Sequence, residues 1–298
     1  MLAAISFPHL GLSLEVDRVA FSIGGFQIYW YGIIIAFGFL MAVLYAFRRV
    51  KAFGLKQDDI VDGLLVAVPL AIVGARLYYV LFNFHTYFGA HATRSPFDIR
   101  DGGLAIYGGV IATVIGIFLV TRFKKHKMTP YLDIASLGLL IGQFIGRWGN
   151  FFNCEAFGDY TDGLFAMRLS EEAVGGIDPQ ALAVMQQKAV EGGYSGFLQV
   201  HPTFLYESVW NVVGFVLIHF LSKKRKYDGQ VFLMYLFWYG LGRVWIEGLR
   251  TDSLMLGSFR VSQLLAGACV LVAGGLLLYN QFRPHDPAKM FANREKAE

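Results

Sequence analysis

The chain is 298 residues long, 55% hydrophobic and only 16% charged, with a mean hydropathy of +0.48. A soluble domain carries about a quarter charged residues, so an ordinary water-facing surface is excluded and a membrane protein is indicated. The net charge of +4 is too small and too scattered to argue for nucleic acid, and two cysteines, Cys154 and Cys269, cannot build a disulfide scaffold.

The N-terminus shows no basic segment followed by a short apolar core and a small-residue cleavage site, so no cleaved signal peptide is expected. A membrane helix needs about 20 mostly apolar residues. Seven stretches qualify, which predicts an all-α integral membrane protein. They are Gln27–Phe47, Val61–Asn83, Leu104–Phe123, Tyr131–Asn150, Phe204–Leu221, Gln230–Leu249 and Val261–Gln281. Within span 4, Gly138, Gly142 and Gly146 recur every four residues, the spacing that lets a second backbone approach closely. Between spans 4 and 5 lies a long connection, predicted to form a small outward-facing head. The expected organisation is therefore 1–150 with spans 1–4, a head at 151–203, spans 5–7 at 204–281, and a polar, mobile cytoplasmic tail at 282–298.

Orientation follows from the basic residues between spans. Arg48, Arg49, Lys51 and Lys56 follow span 1, and Arg122, Lys124, Lys125 and Lys127 follow span 3. Lys223, Lys224, Arg225 and Lys226 follow span 5, and Arg283, Lys289, Arg294 and Lys296 follow span 7. Sixteen of the 26 basic residues thus fall on one side. Seven fall on the other: Arg18, Arg94, Arg100, Arg168, Lys188, Arg250 and Arg260. The N-terminus is expected outside and the C-terminus in the cytoplasm.

Three arginines lie inside spans: Arg76, Arg147 and Arg243. Each costs about 2.5–3.5 kcal/mol on insertion scales, so each needs a reason. All three fall toward the outer leaflet, at the level of Glu155, Glu207, Glu247, Asn150, Asn153, His201, Tyr206 and Tyr239. Asp62 and Asp133, at the opposite ends of spans 2 and 4, read as helix-start residues. Tyr239, Arg243, Glu247 and Arg250 follow one another at four, four and three residues, one polar stripe on a helix. Guanidinium groups bind phosphate bidentately and stay charged. The pattern fits a lipid-handling enzyme with a phosphate pocket. It also fits a transporter or receptor pocket, or ion pairs that merely join helices.

Residues 146–158 read Gly-Arg-Trp-Gly-Asn-Phe-Phe-Asn-Cys-Glu-Ala-Phe-Gly. This resembles the signature G-R-x-G-N-F-x-N-x-E-x-x-G of the bacterial prolipoprotein diacylglyceryl transferases at every specified position. Trp30-Tyr31-Gly32, Gly102-Gly103-Leu104, Gly108-Gly109, His201 through Glu207, and the Tyr239–Arg250 stripe resemble further family segments. The resemblance implies a seven-span bacterial inner-membrane enzyme. Its substrates would be phosphatidylglycerol and the lipobox cysteine of a prolipoprotein signal peptide, its products a thioether and glycerol phosphate. It implies Arg147 as the leading phosphate-binding residue, with Asn150, Glu155 and Gly158 shaping that site. It implies Arg243 and Tyr239 as a second cluster with Glu247 holding Arg243, and Tyr31 as an important tyrosine. Arg76, Asn153, His201, Tyr206 and Glu207 join the substrate-binding set as polar groups at the same level. No cofactor is implied. His85, His91 and His201 are too scattered to suggest a metal site. Many relatives have a histidine where this chain has Tyr107, and a tyrosine, with a reference pKa of about 10, is a poor base. Catalysis is therefore assigned to Arg147 and Arg243, with Tyr107 as a hydrogen-bonding group. Cys154, at a free position of the signature, is expected to be an unreactive bystander.

Overall fold

The computed structural model describes residues 2–88, 95–97, 102–175, 177–251, 255–257 and 259–296. His91, Arg94 and Arg100 lie outside them. The fold is mostly helical. Among the described residues, five helices are long and apolar enough to cross a membrane: Trp30–Phe53, Gln57–Phe82, Ile106–Phe123, Thr203–Ser222 and Val261–Gln281. Thr129–Asn153 and Gln230–Leu249 are as long but carry the polar cluster described below.

In chain order the elements are strands β1 (Leu2–Phe7), β2 (Leu12–Asp17), β3 (Val19–Ile23) and β4 (Phe26–Tyr29), then helices α1 (Trp30–Arg49), α2 (Gln57–Phe82), α3 (Phe84–Tyr87), α4 (Ile106–Phe123) and α5 (Thr129–Asn153). Strand β5 (Met167–Ser170), α6 (Pro179–Glu191), β6 (Phe197–Val200), α7 (Thr203–Ser222) and α8 (Gln230–Leu249) follow. The short hairpin β7 (Met255–Leu256)–β8 (Phe259–Arg260) leads into α9 (Val261–Gln281). The chain divides into two units, Met1–Tyr45 with Ala135–His285, and Ala46–Ile134 with Asp286–Glu298.

In the first unit an antiparallel sheet runs in the order β2-β1-β5-β6. Hydropathy predicts an all-α chain, and the sheet departs from it. These strands are short, and β5 and β6 find partners far away in the chain. Their signal is period-2 burial, with Ala3, Ile5 and Phe7 of β1 all facing inward. Ile5, Leu169, Leu198 and Met185 of α6 share one core with Phe151 near the end of α5, Phe157 in the loop after it and Phe204 at the start of α7. That core holds the start of α7 against the loop after α5, where the signature segment ends.

Helices α1 and α5 run antiparallel along a ladder of small residues. A Cβ on Gly149 would stand 2.8 Å from the Tyr31 ring, one on Gly146 3.2 Å from Ile35, one on Gly38 3.6 Å from the Gly142 backbone, and one on Gly138 3.5 Å from Ala42. The glycine repeat is thus packing, as its spacing suggests. Helices α7 and α8 interlock through two indoles. Trp210 and Trp238 stack at 4.4 Å, and each Nε1 donates to the other's carbonyl at 3.0 Å. Gly242 and Gly214 leave room for the two rings.

In the second unit α2 and α4 approach closely at Gly74 and Gly108, where an added Cβ would overlap the opposing backbone. Asp59, in the first turn of α2, accepts from the Lys56 amide at 2.8 Å. Asp62 lies a turn further in and pairs with Lys124 at 2.5 Å, so it is not the helix-start residue its position in the sequence suggests. Asp59 and Asp62 together push the Lys124 ammonium above its ordinary pKa. The tail, expected to be polar and mobile, makes defined contacts in the second unit. Its backbone forms short helical turns at Pro287–Lys289 and Phe291–Lys296. The Phe291 ring meets His126 at 5.1 Å, the Lys127 ammonium donates to the Lys289 carbonyl at 3.1 Å, and Gly54 has no space for a Cβ beside Ala292.

Candidate active site

The charged cluster of the first unit is built on three helices. Glu207, one turn into α7, is 4% exposed. Its carboxylate receives Arg147 of α5 at 2.8 Å, Arg243 of α8 at 3.2 Å and Arg250, just past α8, at 3.7 Å. Arg243 also pairs with Glu247, one turn along the same helix, at 2.5 Å. A single buried carboxylate therefore gathers three guanidiniums that would otherwise repel one another.

The signature loop supports Arg147 from its other side. Arg147 donates to the side-chain amide oxygen Oδ1 of Asn150 at 3.1 Å. The Asn150 and Asn153 amides donate to one Glu155 oxygen at 2.9 and 3.3 Å. Glu155 reaches back because α5 ends in a Schellman cap. The Glu155 amide donates to the Asn150 carbonyl, and the Cys154 amide to Phe151, with Cys154 at φ +51°. Ala156 is also left-handed, at φ +57°. Two non-glycine residues in that region are a strained pair, of the kind that persists where the surroundings over-determine the backbone. Cys154 is buried, and burial pushes its thiol pKa up. It belongs to the buried core shared with Phe151 and Phe157.

Gly158 completes the frame through its backbone. It pairs with Arg250 across an antiparallel bridge and donates to the His201 carbonyl at 3.0 Å. A Cβ there would stand 2.8 Å from both the His201 Cβ and the Leu249 carbonyl. Only glycine lets the segments carrying His201 and Arg250 meet. The His201 ring bonds the Tyr206 hydroxyl at 3.3 Å, and burial holds its pKa below the ordinary value while Asp159 opposes this. Tyr31 lies over Gly149, next to Asn150 in the chain. Tyr239 stacks on Tyr235, with centroids 5.7 Å apart, one turn before Arg243.

The structure thus brings together Arg147, Asn150, Asn153, Glu155, Glu207, Arg243 and Glu247 in one bonded network, with Gly158, His201, Tyr206, Tyr31 and Tyr239 on the segments that frame it. Arg76 and Tyr107 belong to the second unit. Arg76 is 8% exposed, and its guanidinium is occupied by backbone carbonyls: Nε to Pro96 at 2.8 Å, the terminal nitrogens to Ser95, Gly102 and Gly103 at 3.0–3.2 Å. Its face lies 4.9 Å from the Tyr87 ring. This is the bonding of a loop staple. Gly103, at φ +77°, has no side chain because the Arg76 guanidinium fills that space. Tyr107 lies in the first turn of α4, its ring 6.4 Å from Tyr78.

The sequence model of the prolipoprotein diacylglyceryl transferase family matches residues 18–279. The chain belongs to the prolipoprotein diacylglyceryl transferase family. Among its relatives, the phosphatidylglycerol–prolipoprotein diacylglyceryl transferase of Bacillus cereus strain G9842 is 42% identical over 264 residues, covering 89% of this chain and 92% of that protein. The Bacillus anthracis protein of the same name is 41% identical with the same coverage. Strands β1 and β2 precede the part that matches the family, although β1 pairs with β5 inside it.

Three polar residues of this region escape a reading based on the signature alone. Arg250 shares the Glu207 carboxylate, and its position at the end of the stripe signals it. Gln143 and Asn211 lie one turn from Arg147 and Glu207 on the same helix faces, a signal that four-residue spacing carries.

Proposed function

We propose that the chain is a multi-pass bacterial membrane enzyme that transfers the diacylglyceryl group of phosphatidylglycerol to the lipobox cysteine thiol of a prolipoprotein. The observation that carries this reading is the convergence of Arg147, Arg243 and Arg250 on buried Glu207 in a chain of this family. The sulfur–carbon bond forms as the glycerol carbon–phosphate oxygen bond breaks. Thiol and lipid give the thioether, glycerol phosphate and one released proton. The phosphate gains negative charge as it leaves, and fixed guanidiniums aimed at it lower the barrier, more so at a site partly withdrawn from water. Arg147 and Arg243 hold the phosphate, and Glu207 and Glu247 fix their planes. Asn150, Asn153 and Glu155 fix Arg147 from the opposite side. Gly158 sets the backbone of the pocket rim, and Tyr31, Tyr239, His201 and Tyr206 line it. Tyr107 is assigned a hydrogen-bonding role in the reaction; full turnover by Tyr107→Phe would exclude it.

In this reading all seven long helices cross the bacterial cell membrane, α5 and α8 with their charges turned toward one another rather than to lipid. The sixteen basic residues on one side support a cytoplasmic C-terminus, and residues 151–203 contribute an outward-facing head. The test is thioether formation by purified protein from phosphatidylglycerol and a lipobox peptide, followed by mass spectrometry. Product from the wild type and none from Arg147→Ala supports the assignment; no product from folded wild type refutes it.

A further inference from the structure

One helical turn away from the arginines, into the helix bundle, the polar lining continues in residues outside the arginine–carboxylate network. Asn211 follows Glu207 by four residues on α7, so the two share a face. Its side chain is 2% exposed, and among the described residues its amide oxygen has no hydrogen-bond partner. Gln143 precedes Arg147 by four on α5. Its Nε2 donates to the Tyr235 hydroxyl at 3.0 Å, and its buried Oε1 likewise has no partner among the described residues. Tyr239 precedes Arg243 by four on α8.

Three contacts place these groups at one depth. The Ser208 hydroxyl of α7 donates to the Phe144 carbonyl of α5 at 2.9 Å. Trp210 and Trp238 lock α7 to α8 beside Asn211 and Tyr239. The Gln143–Tyr235 bond joins α5 to α8. The result is a neutral polar layer of amides and phenols beneath a charged one. Buried amides without partners are destabilising, most of all in a membrane protein, where lipid supplies none.

The depth matches one chemical class of ligand. A helical turn of four residues is about 6 Å. In a glycerophospholipid, carboxylic ester groups follow the phosphate within four to five bonds, which is about the same span. Ester carbonyls are neutral acceptors and need donors. A half-turn of either amide exchanges its oxygen and nitrogen. Gln143 then accepts from the Tyr235 hydroxyl and presents its NH₂, and Asn211 presents NH₂ where its unpartnered oxygen stands. We infer that Gln143, Asn211 and Tyr239 form a second subsite, which binds the acyl ester groups of the lipid donor while the arginines hold its phosphate. This rests on the reading of the chain as a diacylglyceryl transferase.

The test compares phosphatidylglycerol carrying ester-linked chains with the same lipid carrying ether-linked chains, measuring kcat and KM for wild type, Asn211→Leu and Gln143→Leu. The wild type is expected to show a KM about 10-fold higher for the ether lipid, the scale of lost neutral hydrogen bonds. Each variant is expected to raise the KM of the ester lipid by about 5- to 10-fold with kcat little changed, and to leave the KM of the ether lipid as it was. The ether arm also shows that the variants are folded. Equal handling of the two lipids by the wild type would overturn the inference, leaving the transferase reading intact, and would mean that the amides hold water. Equal damage by a variant on both lipids would overturn it as well, in favour of a packing role. Absence of thioether from both lipids in the wild type would refute the transferase reading and this inference with it.

Discussion

Replacing Glu207 by Gln keeps the side chain's shape and removes its charge. Three guanidiniums lie at 2.8, 3.2 and 3.7 Å from that carboxylate, which is 4% exposed. Removing one partner of a buried ion pair costs about 3–5 kcal/mol. The arginine side chains are 12–21% exposed, so water screens the loss and the lower end applies. About 3 kcal/mol corresponds to a little over 100-fold in rate if it is expressed in the transition state. Arg243 retains Glu247, whereas Arg147 retains the neutral Asn150 amide, so Arg147 loses more of its aim. The guanidiniums remain in place to attract phosphate, so the loss belongs mainly in kcat. Glu247→Gln takes away one of the two carboxylates on Arg243 and leaves it paired with Glu207, and is expected to cost about 10-fold. Steady-state transfer to a lipobox peptide, with thermal unfolding as a control for folding, measures both. A Glu207→Gln enzyme within threefold of wild type, or one less affected than Glu247→Gln, would refute the idea that this carboxylate organises the site.

Four further outcomes follow from the geometry. Gly149→Ala places a methyl 2.8 Å from the Tyr31 ring; overpacking should cost about 1–3 kcal/mol and lower kcat/KM as Tyr31 moves, and full activity at unchanged Tm would show that Tyr31 is not seated there. Cys154→Ser should retain activity within about threefold, since the thiol is buried in the core and burial raises its pKa, which disfavours the thiolate; total loss of transfer would contradict this. Arg76→Ala strips four loop carbonyls of their donor and should destabilise the protein by about 1.5–3 kcal/mol without raising the KM of the lipid; the reverse pattern, unchanged Tm and raised KM, would make it a substrate ligand. His201 has a folded pKa below its unfolded value of about 6.5, so the unfolded chain binds more protons and stability falls as pH drops below about 6.5. His201→Gln should flatten the fall in Tm between pH 7.5 and 5.5, and an unaltered fall would place the titration elsewhere.

Much of the fold is legible from hydropathy alone. The predicted ends of α8 and α9 coincide with the observed ones, because Gly229 and Arg260 mark sharp starts. Helix α5 runs three residues past the predicted end because its cap lies inside the signature, where Cys154 takes the left-handed position usually given to glycine. The sheet is not legible. Four-residue strands such as β5 and β6 carry little periodicity, and β1 and β5 pair across more than 150 residues. The tail's docking rests on Phe291, one aromatic in a polar stretch, and on the bare backbone at Gly54.

At the site, the stripe on α8 and the signature on α5 predict the meeting of arginines and carboxylates, because spacing fixes a helix face. Spacing does not reveal that Glu207 is shared by three arginines; that depends on how α5, α7 and α8 meet. Arg76 shows the limit most clearly. Its sequence context matches that of Arg147 and Arg243, an arginine in the second half of a long apolar stretch. Its partners are backbone carbonyls, which leave no mark on residue identity.

The transfer reaction itself is the decisive assay, with purified protein in liposomes containing phosphatidylglycerol. A lipobox peptide is added, and mass spectrometry follows both the diacylglyceryl thioether and glycerol phosphate. The account predicts equal amounts of the two products from wild type and neither from Arg147→Ala. Turnover by Arg147→Ala at the wild-type rate, or a folded wild-type protein that binds the lipid and forms no thioether, would contradict it.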